Sequence, residues 1–451
     1  MRTQCTPAEM GFGSSGGRKL VGAFDGGAIT SNGGVVLLAA ADQRIGLSRR
    51  LAACFRDLRD GARITHTIAD LLRQRLFGLA LGHEDLIDHD ALRHDPALTA
   101  VLDKPGDALA GKSTLNRLEH AGKIGVDRHH KFDNVPDAIE RVFVDVFLDA
   151  YREAPPRITL DLDATDDPIY GEQEGKHFHG YYDCYCYLPL YIFCGRHLLA
   201  AKLRPSSVDG ADGAKDEVAR IVAHIRERWP ETEIVVRADS GFCRDDLMTW
   251  CEESGVKYVF GLAGNARLLR RIALQSRQAR RKSKRTGQPA RVFADFAYRT
   301  LKTWSRMRRV IGKAEWTRGE ANPRFIVTNL DVSNGDTRFL YEHIYCQRGE
   351  MENRIKECQG DLFADRTPTP TMRANQLRLW FASFAYVLMC AVRRIGLAGT
   401  KFERATCGTI RLQLLKVGAL VTISVRRVKL AFATACPSRG VFETASRRLR
   451  V

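Results

Sequence analysis

"RITLDLDAT", residues 157–165, alternates Ile158, Leu160 and Leu162 with Thr159, Asp161 and Asp163. A period of two marks a half-buried strand, and it projects both carboxylates from one face. Such a strand needs a sheet, and the sequence downstream supplies one. "GYYDCYCYLPLYIFC" and "HLLAAKLRP" read as two more strands joined in a hairpin at Gly195 and Arg196. A helix at "AKDEVARIVAHIRERW" ends before Pro230, and then come a buried strand "EIVVRAD", a helix from "RDDLMTWCEESG" and a short strand "KYVFGLAG". The order strand, strand, strand, helix, strand, helix, strand predicts an α/β core.

Upstream, Pro155 and Pro156 mark a boundary where the apolar period changes from 3.6 to 2. Residues 35–150 read as mainly helical, with Ile68, Leu71, Leu72, Leu76 and Leu79 of "IADLLRQRLFGLALG" on one helix face. Residues 1–20 are Gly/Ser-rich and read as a mobile lead-in without the apolar core of a signal peptide. The twelve cysteines are therefore expected to be free thiols in a reducing cytoplasm. They form no CxxC pair or zinc-finger spacing. The nearest approach, "HFHGYYDCYC" from His177 to Cys186, reads better as a half-exposed strand than as a metal site. "LWFASFAYVLMCAV" (379–392) is short for a bilayer span and reads as a buried core helix, so no membrane is expected as a partner.

The chain of 451 residues carries a formal charge of +17, a field that favours polyanions and makes nucleic acid the leading partner. From Arg267 to Arg318 there are 17 Lys or Arg against two acids, Asp295 and Glu315, for a net +15. Part of this, "RQARRKSKRTGQPA", reads as partly a loop. The interleaved Phe293, Phe296, Tyr298, Trp304 and Trp316 argue that the rest folds. A nucleic-acid contact surface with Arg280, Arg281, Lys282, Lys284 and Arg285 at its centre is preferred to a merely solvated face.

"RFIVTNL" restarts a strand, and "YEHIYCQRGEMENRIKECQGDL" is helical in its second part. At about 100° per residue, Tyr345, Arg348, Glu352, Lys356 and Gln359 fall within a sector of roughly 80°. Met351, Ile355 and Cys358 occupy the neighbouring sector, suited to anchoring the helix on a sheet. Asp163 ends one core strand, Asp239 ends another and Glu352 lies on this helix, so a fold packing these elements together could converge three carboxylates. Hard oxygen donors suit Mg²⁺ or Mn²⁺. Two such ions could activate an attacking oxygen and stabilise a leaving one in an in-line phosphodiester displacement.

"LDLDAT", "VVRADSGF" and "YCQRGEMENRIKE", in this order, resemble the DDE transposases of bacterial insertion sequences, in the branch whose last motif is Tyr-x-x-Arg-x-x-x-Glu. The resemblance covers roughly residues 20–435 in organisation. It implies a ribonuclease H-like mixed sheet flanked by helices at 151–266 and 340–398, interrupted by an inserted basic domain at 267–339. A mainly helical region at 1–150 would bind DNA ends and support dimer contacts, and a basic, partly strand-like region at 399–451 would follow. Asp163, Asp239 and Glu352 are implied as ligands of two Mg²⁺ or Mn²⁺ ions, and Tyr345 and Arg348 as contacts to the DNA end. Asp161 is the second choice for the first ligand and Asp166 the third. The implied activity is cleavage and strand transfer at terminal inverted repeats, on double-stranded DNA, in a synaptic multimer in the cytoplasm. The family's motif ends in a Lys that would fall on position 359, where this chain has Gln. Lys356 lies one turn earlier on the same face and is the candidate replacement.

"GDALAGKS" (106–113) also fits the phosphate-binding Gly-x-x-x-x-Gly-Lys-Ser pattern at Gly106, Gly111, Lys112 and Ser113. A working loop of this kind follows a buried strand, whereas here "LTAVLDKP" precedes it, so no nucleotide cofactor is expected. Two rivals remain: an ATPase that acts on DNA through Lys112, and a degenerate relative that binds DNA without cutting it.

Overall fold

The computed structural model describes residues 9–122, 131–317 and 319–450. Residues 1–8 of the lead-in, 123–130 of the expected helical region and Arg318 of the basic stretch lie outside the described residues. The chain divides into two compact units, Met1–Asn134 together with Leu388–Val451, and Val135–Val387.

The second unit is organised by one nine-stranded sheet, whose strands in chain order are β1 (Arg157–Ala164), β2 (Leu190–Cys194), β3 (His197–Lys202), β4 (Glu233–Ala238), β5 (Lys257–Leu262), β6 (Ala290–Tyr298), β7 (Arg308–Thr317), β8 (Glu320–Ala321) and β9 (Arg324–Thr328). Their spatial order is β3-β2-β1-β4-β5-β9-β7-β6, with β8 on β7. β1, β4 and β5 run parallel, and the remaining pairings are antiparallel. The basic segment thus contributes strands that continue the same sheet. "GYYDCYCYLPLYIFC" divides into two strands in different sheets. Cys184–Tyr187 joins Asp167–Pro168 and His177–His179 in a small sheet, and β2 begins after Pro189, which has no N–H to offer a ladder.

Alternation along β1 sorts the two faces. Ile158, Leu160 and Leu162 join Ile234, Val236 and Ala238 of β4 and Phe260 of β5 in the main core. Over this face pack helices α1 (Pro136–Leu148), α2 (Ala214–Arg228) and α3 (Asp245–Glu253), through Val144 and Phe147, Val218 and Ile221, and Leu247 and Met248. The opposite face carries Asp161 and Asp163. There Val235, Val259, Ile311 and Ile326 form a smaller cluster with Leu340 and Tyr341 of the following helical run.

Most of the stretch expected to be partly a loop is helix α4 (Ala273–Thr286), closed by Gly287 at φ 67°, and the loop is confined to residues 287–289. Its Gln, Arg and Lys residues are strong helix formers, and Ala279, 1% exposed, is its one buried residue. Arg280 stacks 5.1 Å over Trp316 of β7, which offsets part of the self-repulsion that argued for a loop.

In the first unit, the glycine-rich lead-in forms an exposed hairpin, Met10–Ser15 with Arg18–Gly22. Helix Ile68–Ala80 is capped by Thr67 and Asp70, and Leu71, Leu72, Leu76 and Leu79 are buried as its periodicity predicts. The C-terminal basic stretch forms the hairpin Ala419–Ser424 with Arg427–Phe432. The apolar run at 379–392 belongs to a longer helix, Met372–Gly396. By length and composition alone that helix could cross a membrane, but 83% of its apolar window is buried, as in a core helix.

Candidate active site

The site forms where parallel strands β1 and β4 end. Asp163 is the penultimate residue of β1, and Asp239 directly follows β4. Asp239 caps the next turn by accepting from the Gly241 N–H at 2.8 Å. The third element is a continuous helical run, Thr337–Asp361. It widens to π geometry at Leu340–Tyr345 and Glu357–Asp361, on either side of a tight turn and helix α5 (Gly349–Lys356). Such π turns recur where a helix must aim side chains off its regular spacing. Met351, Ile355 and Cys358 are buried, as expected of the anchoring sector.

Arg348 joins the acids. Its Nη1 lies 3.4 Å from Asp163 Oδ2 and its Nη2 lies 3.1 Å from Glu352 Oε1. Burial pushes Asp163 up to about 6. The Arg348 charge opposes this, while the Asp239 and Glu352 charges add to it. Three carboxylates therefore share one electrostatic neighbourhood, in which the Arg348 guanidinium supplies positive charge. Glu352 is the most open of them, with 48% of its side chain exposed against 16% for Asp163.

Asp161 has a different environment from Asp163. It is bound in bidentate fashion by Arg237 of β4, at 2.5 and 2.8 Å, and Arg237 also donates to the Ile344 carbonyl. Both members of this pair are buried, so Asp161 ties the two parallel strands to the helical run. Asp166 is partly exposed and has no carboxylate-specific hydrogen bond among the described residues.

Tyr345 reaches the same place by a close approach: a Cβ on Gly261 of β5 would stand 2.6 Å from its hydroxyl and 2.8 Å from the Ser240 nitrogen. Burial raises the Tyr345 phenol, so it stays protonated. Gly261 was not singled out from sequence, although a glycine inside a strand is the signal for such an approach. Lys356 is exposed on α5. Gln359 points elsewhere, because its Nε2 donates to Asp167 Oδ1 at 2.9 Å and to the Asp166 carbonyl at 3.0 Å. Asp167 is fully buried, and burial holds its carboxyl far above the ordinary range. Position 359 thus braces the turn that follows β1 through its side-chain amide.

The donor chemistry suits a hard divalent cation: the three carboxylates offer oxygen ligands only, and a bound cation would favour the ionised form of Asp163 that burial opposes. Among the described residues no three His, Cys, Asp or Glu side chains are already gathered closely enough to hold an ion, and Arg348 stands between two of the acids. At the His177–Cys186 stretch, His177 pairs with Cys186 and His179 with Cys184 across two short antiparallel strands.

The basic helix presents Arg280, Arg281, Lys282, Lys284 and Arg285 to solvent. Among the described residues none of the five has an acidic partner within ion-pair distance. In the first unit the Gly-x-x-x-x-Gly-Lys-Ser stretch opens helix Lys112–Glu119, but no strand precedes it. Lys112 is committed to Asp90, whose carboxylate takes both its backbone N–H at 3.1 Å and its ammonium at 3.2 Å. An acid in that place opposes phosphate binding, so the nucleotide reading loses its structural basis.

No curated protein matches the chain. Among solved structures, the cryo-EM structure of a piggyBac transposase synaptic complex with hairpin DNA aligns with a TM-score of 0.40 at 9% identity, covering 85% of this chain and 79% of that one. Residues 12–451 match the family model described as transposase DDE domain group 1, so the chain belongs to the DDE transposases, enzymes that cut and transfer DNA strands.

Proposed function

We propose that this transposase cuts and joins DNA at the terminal inverted repeats of an insertion sequence, in a metal-dependent reaction on a ribonuclease H-like core. The core reading is supported by the run β3-β2-β1-β4-β5, in which an antiparallel three-strand meander is continued by two parallel strands. The observation that carries the site reading is the meeting of Asp163 and Glu352 on Arg348, with Asp239 at the end of the adjacent strand. Asp163, Asp239 and Glu352 would hold Mg²⁺ or Mn²⁺, two ions in all. Bound there, the ions supply activation of the attacking oxygen and charge stabilisation of the leaving one.

The chain's own residues do the rest. Arg348 takes a phosphate oxygen of the DNA end when it leaves the carboxylates, and Tyr345 fixes the strand beside it. Lys356, exposed on the same helix, contacts the next phosphate. The basic helix with Arg280, Arg281, Lys282, Lys284 and Arg285 carries flanking duplex by phosphate contacts. Water attacks the phosphodiester at the element end and releases a 3′-hydroxyl, which then attacks a target phosphodiester. The first step hydrolyses one phosphodiester to a 3′-hydroxyl and a 5′-phosphate, the second exchanges one phosphodiester for another with release of a target-strand 3′-hydroxyl, and neither needs ATP or a covalent protein intermediate. Two ends must be handled together, so the working form is a synaptic multimer, acting on the nucleoid in the cytoplasm.

The test is cleavage and joining of a labelled duplex carrying the element's end, with Mg²⁺ and without ATP. Glu352→Gln is expected to abolish both products and Lys112→Ala to leave them. Activity that needs ATP and Lys112, or that survives Glu352→Gln, would overturn the reading.

A further inference from the structure

The first unit contains a cavity of about 320 Å³ that is built from donors. Its wall is the two-stranded ladder Phe55–Asp57 with Phe132–Asn134, the turn Gly61–Arg63 and helix Lys112–Glu119. Arg59, Arg63, Arg117 and Lys131 line it, against one acid, Asp60. Asp60 is already engaged, capping the turn through the Ala62 N–H at 3.1 Å and lying 3.4 Å from Arg63.

Arg59 is pre-positioned. It stacks 4.7 Å over the Phe132 ring, and its Nε and Nη2 are held by Asp57 at 2.8 and 2.6 Å, with Nη2 also on the His66 carbonyl at 2.7 Å. Among the described residues its Nη1 has no hydrogen-bond partner. Lys104 donates to the Thr65 carbonyl at 2.8 Å and approaches His66 Nδ1 at 3.0 Å. This sets His66 as a neutral ring with its proton on Nε2, another donor in the lining. Among the described residues, Arg117 and Lys131 have no carboxylate within ion-pair distance. The Thr114 hydroxyl completes the lining.

Guanidiniums, an ammonium, an N–H and hydroxyls outnumber the acids here, Asp60 in the lining paired with Arg63 and Asp57 behind Arg59, and match a phosphodiester rather than a base edge or an apolar ligand. We infer that this cavity seats a backbone phosphate of duplex DNA, fixing the element end on the first unit at a distance in sequence from the carboxylate site. The helix that falsely resembles a nucleotide-binding loop would then serve phosphate recognition after all, through Thr114 and Arg117 rather than Lys112. The inference rests on the proposal that the chain binds duplex element ends.

The experiment uses the full-length protein and a labelled end duplex, with affinity measured across a salt series. Arg117→Ala/Lys131→Ala is expected to bind about tenfold more weakly at physiological salt, with a salt slope shallower by about one to two. Its thermal melt should stay that of wild type. Arg117→Lys, which keeps the charge, should keep the slope. Unchanged affinity and slope in a double variant of an enzyme that still cuts would overturn this inference while leaving the function standing. Inorganic phosphate or ATP stabilising wild type but not the variant, with DNA binding unaffected, would overturn it in favour of a small-anion site. A wild type that fails to bind the duplex at all would overturn both.

Discussion

Replacing Asp163 by Asn removes a carboxylate whose ionisation the fold opposes. Burial is the main cause, and with the Asp239 and Glu352 charges it outweighs Arg348, taking the group from 3.8 to about 6. At about 1.4 kcal/mol per pH unit, the ionised side chain costs the folded protein about 3 kcal/mol. The sign follows from which state holds the proton. Below pH 3.8 both folded and unfolded chains are protonated and nothing is lost. Between 3.8 and 6 the unfolded chain ionises first, so stability falls as pH rises, and above 6 the loss is complete. Asp163→Asn should therefore match wild type near pH 3.5 and exceed it by about 2 kcal/mol at pH 7, the remainder being offset because Arg348 loses a partner. Urea titrations in EDTA, followed by tryptophan fluorescence, measure this directly, since all five tryptophans (Trp229, Trp250, Trp304, Trp316 and Trp380) lie in Val135–Val387. Excess Mn²⁺ should raise wild type and close the gap, because a cation at the site favours the ionised acid. An Asn variant less stable than wild type at pH 7 in EDTA, or a gap that is the same at both pH values, would refute the reasoning.

Three further outcomes are expected. Arg348→Ala takes away the guanidinium that competes for Asp163 and Glu352, so Mn²⁺ titrated without DNA should bind at least roughly threefold tighter while cleavage falls; weaker Mn²⁺ binding would contradict the placement. Gln359→Leu leaves the buried Asp167 without its side-chain donor and should destabilise the protein by about 1–3 kcal/mol in urea, with affinity for the end duplex unchanged. A loss of affinity without loss of stability would instead make position 359 a DNA contact. Alanine at Arg280, Arg281, Lys282, Lys284 and Arg285 together should lower the salt slope of duplex binding by several units, and an unchanged slope would remove α4 from the DNA surface.

The strands of the core could be read because alternation is local: β1 announces its buried face within eight residues, and the hairpin at Gly195 and Arg196 follows from neighbouring residues. What could not be read depends on partners far away in sequence. Asp161 and Asp163 share a strand face and a composition, and only the register that sets Arg237 beside Asp161 distinguishes them. Gln359 reads as a missing phosphate contact until Asp167, 192 residues away, is seen to occupy its amide. The basic helix was obscured by its charge, since the stabilising contacts are one buried alanine and a tryptophan on a distant strand. The Gly-Lys-Ser match could be set aside from sequence, because no strand pattern precedes it, whereas Asp90 beneath Lys112, 22 residues away, could not be read.

The central claim is that Asp163, Asp239 and Glu352 act by holding divalent metal for strand cleavage. The most direct measurement is cleavage of the end duplex by Asp239→Cys in Mg²⁺ and in Mn²⁺, since a thiolate ligand disfavours the harder ion. The account predicts no product in Mg²⁺ and recovery in Mn²⁺, with wild type active in both and silent in EDTA. A cysteine variant that cuts equally well in either metal, or wild type that cuts in EDTA, would contradict it.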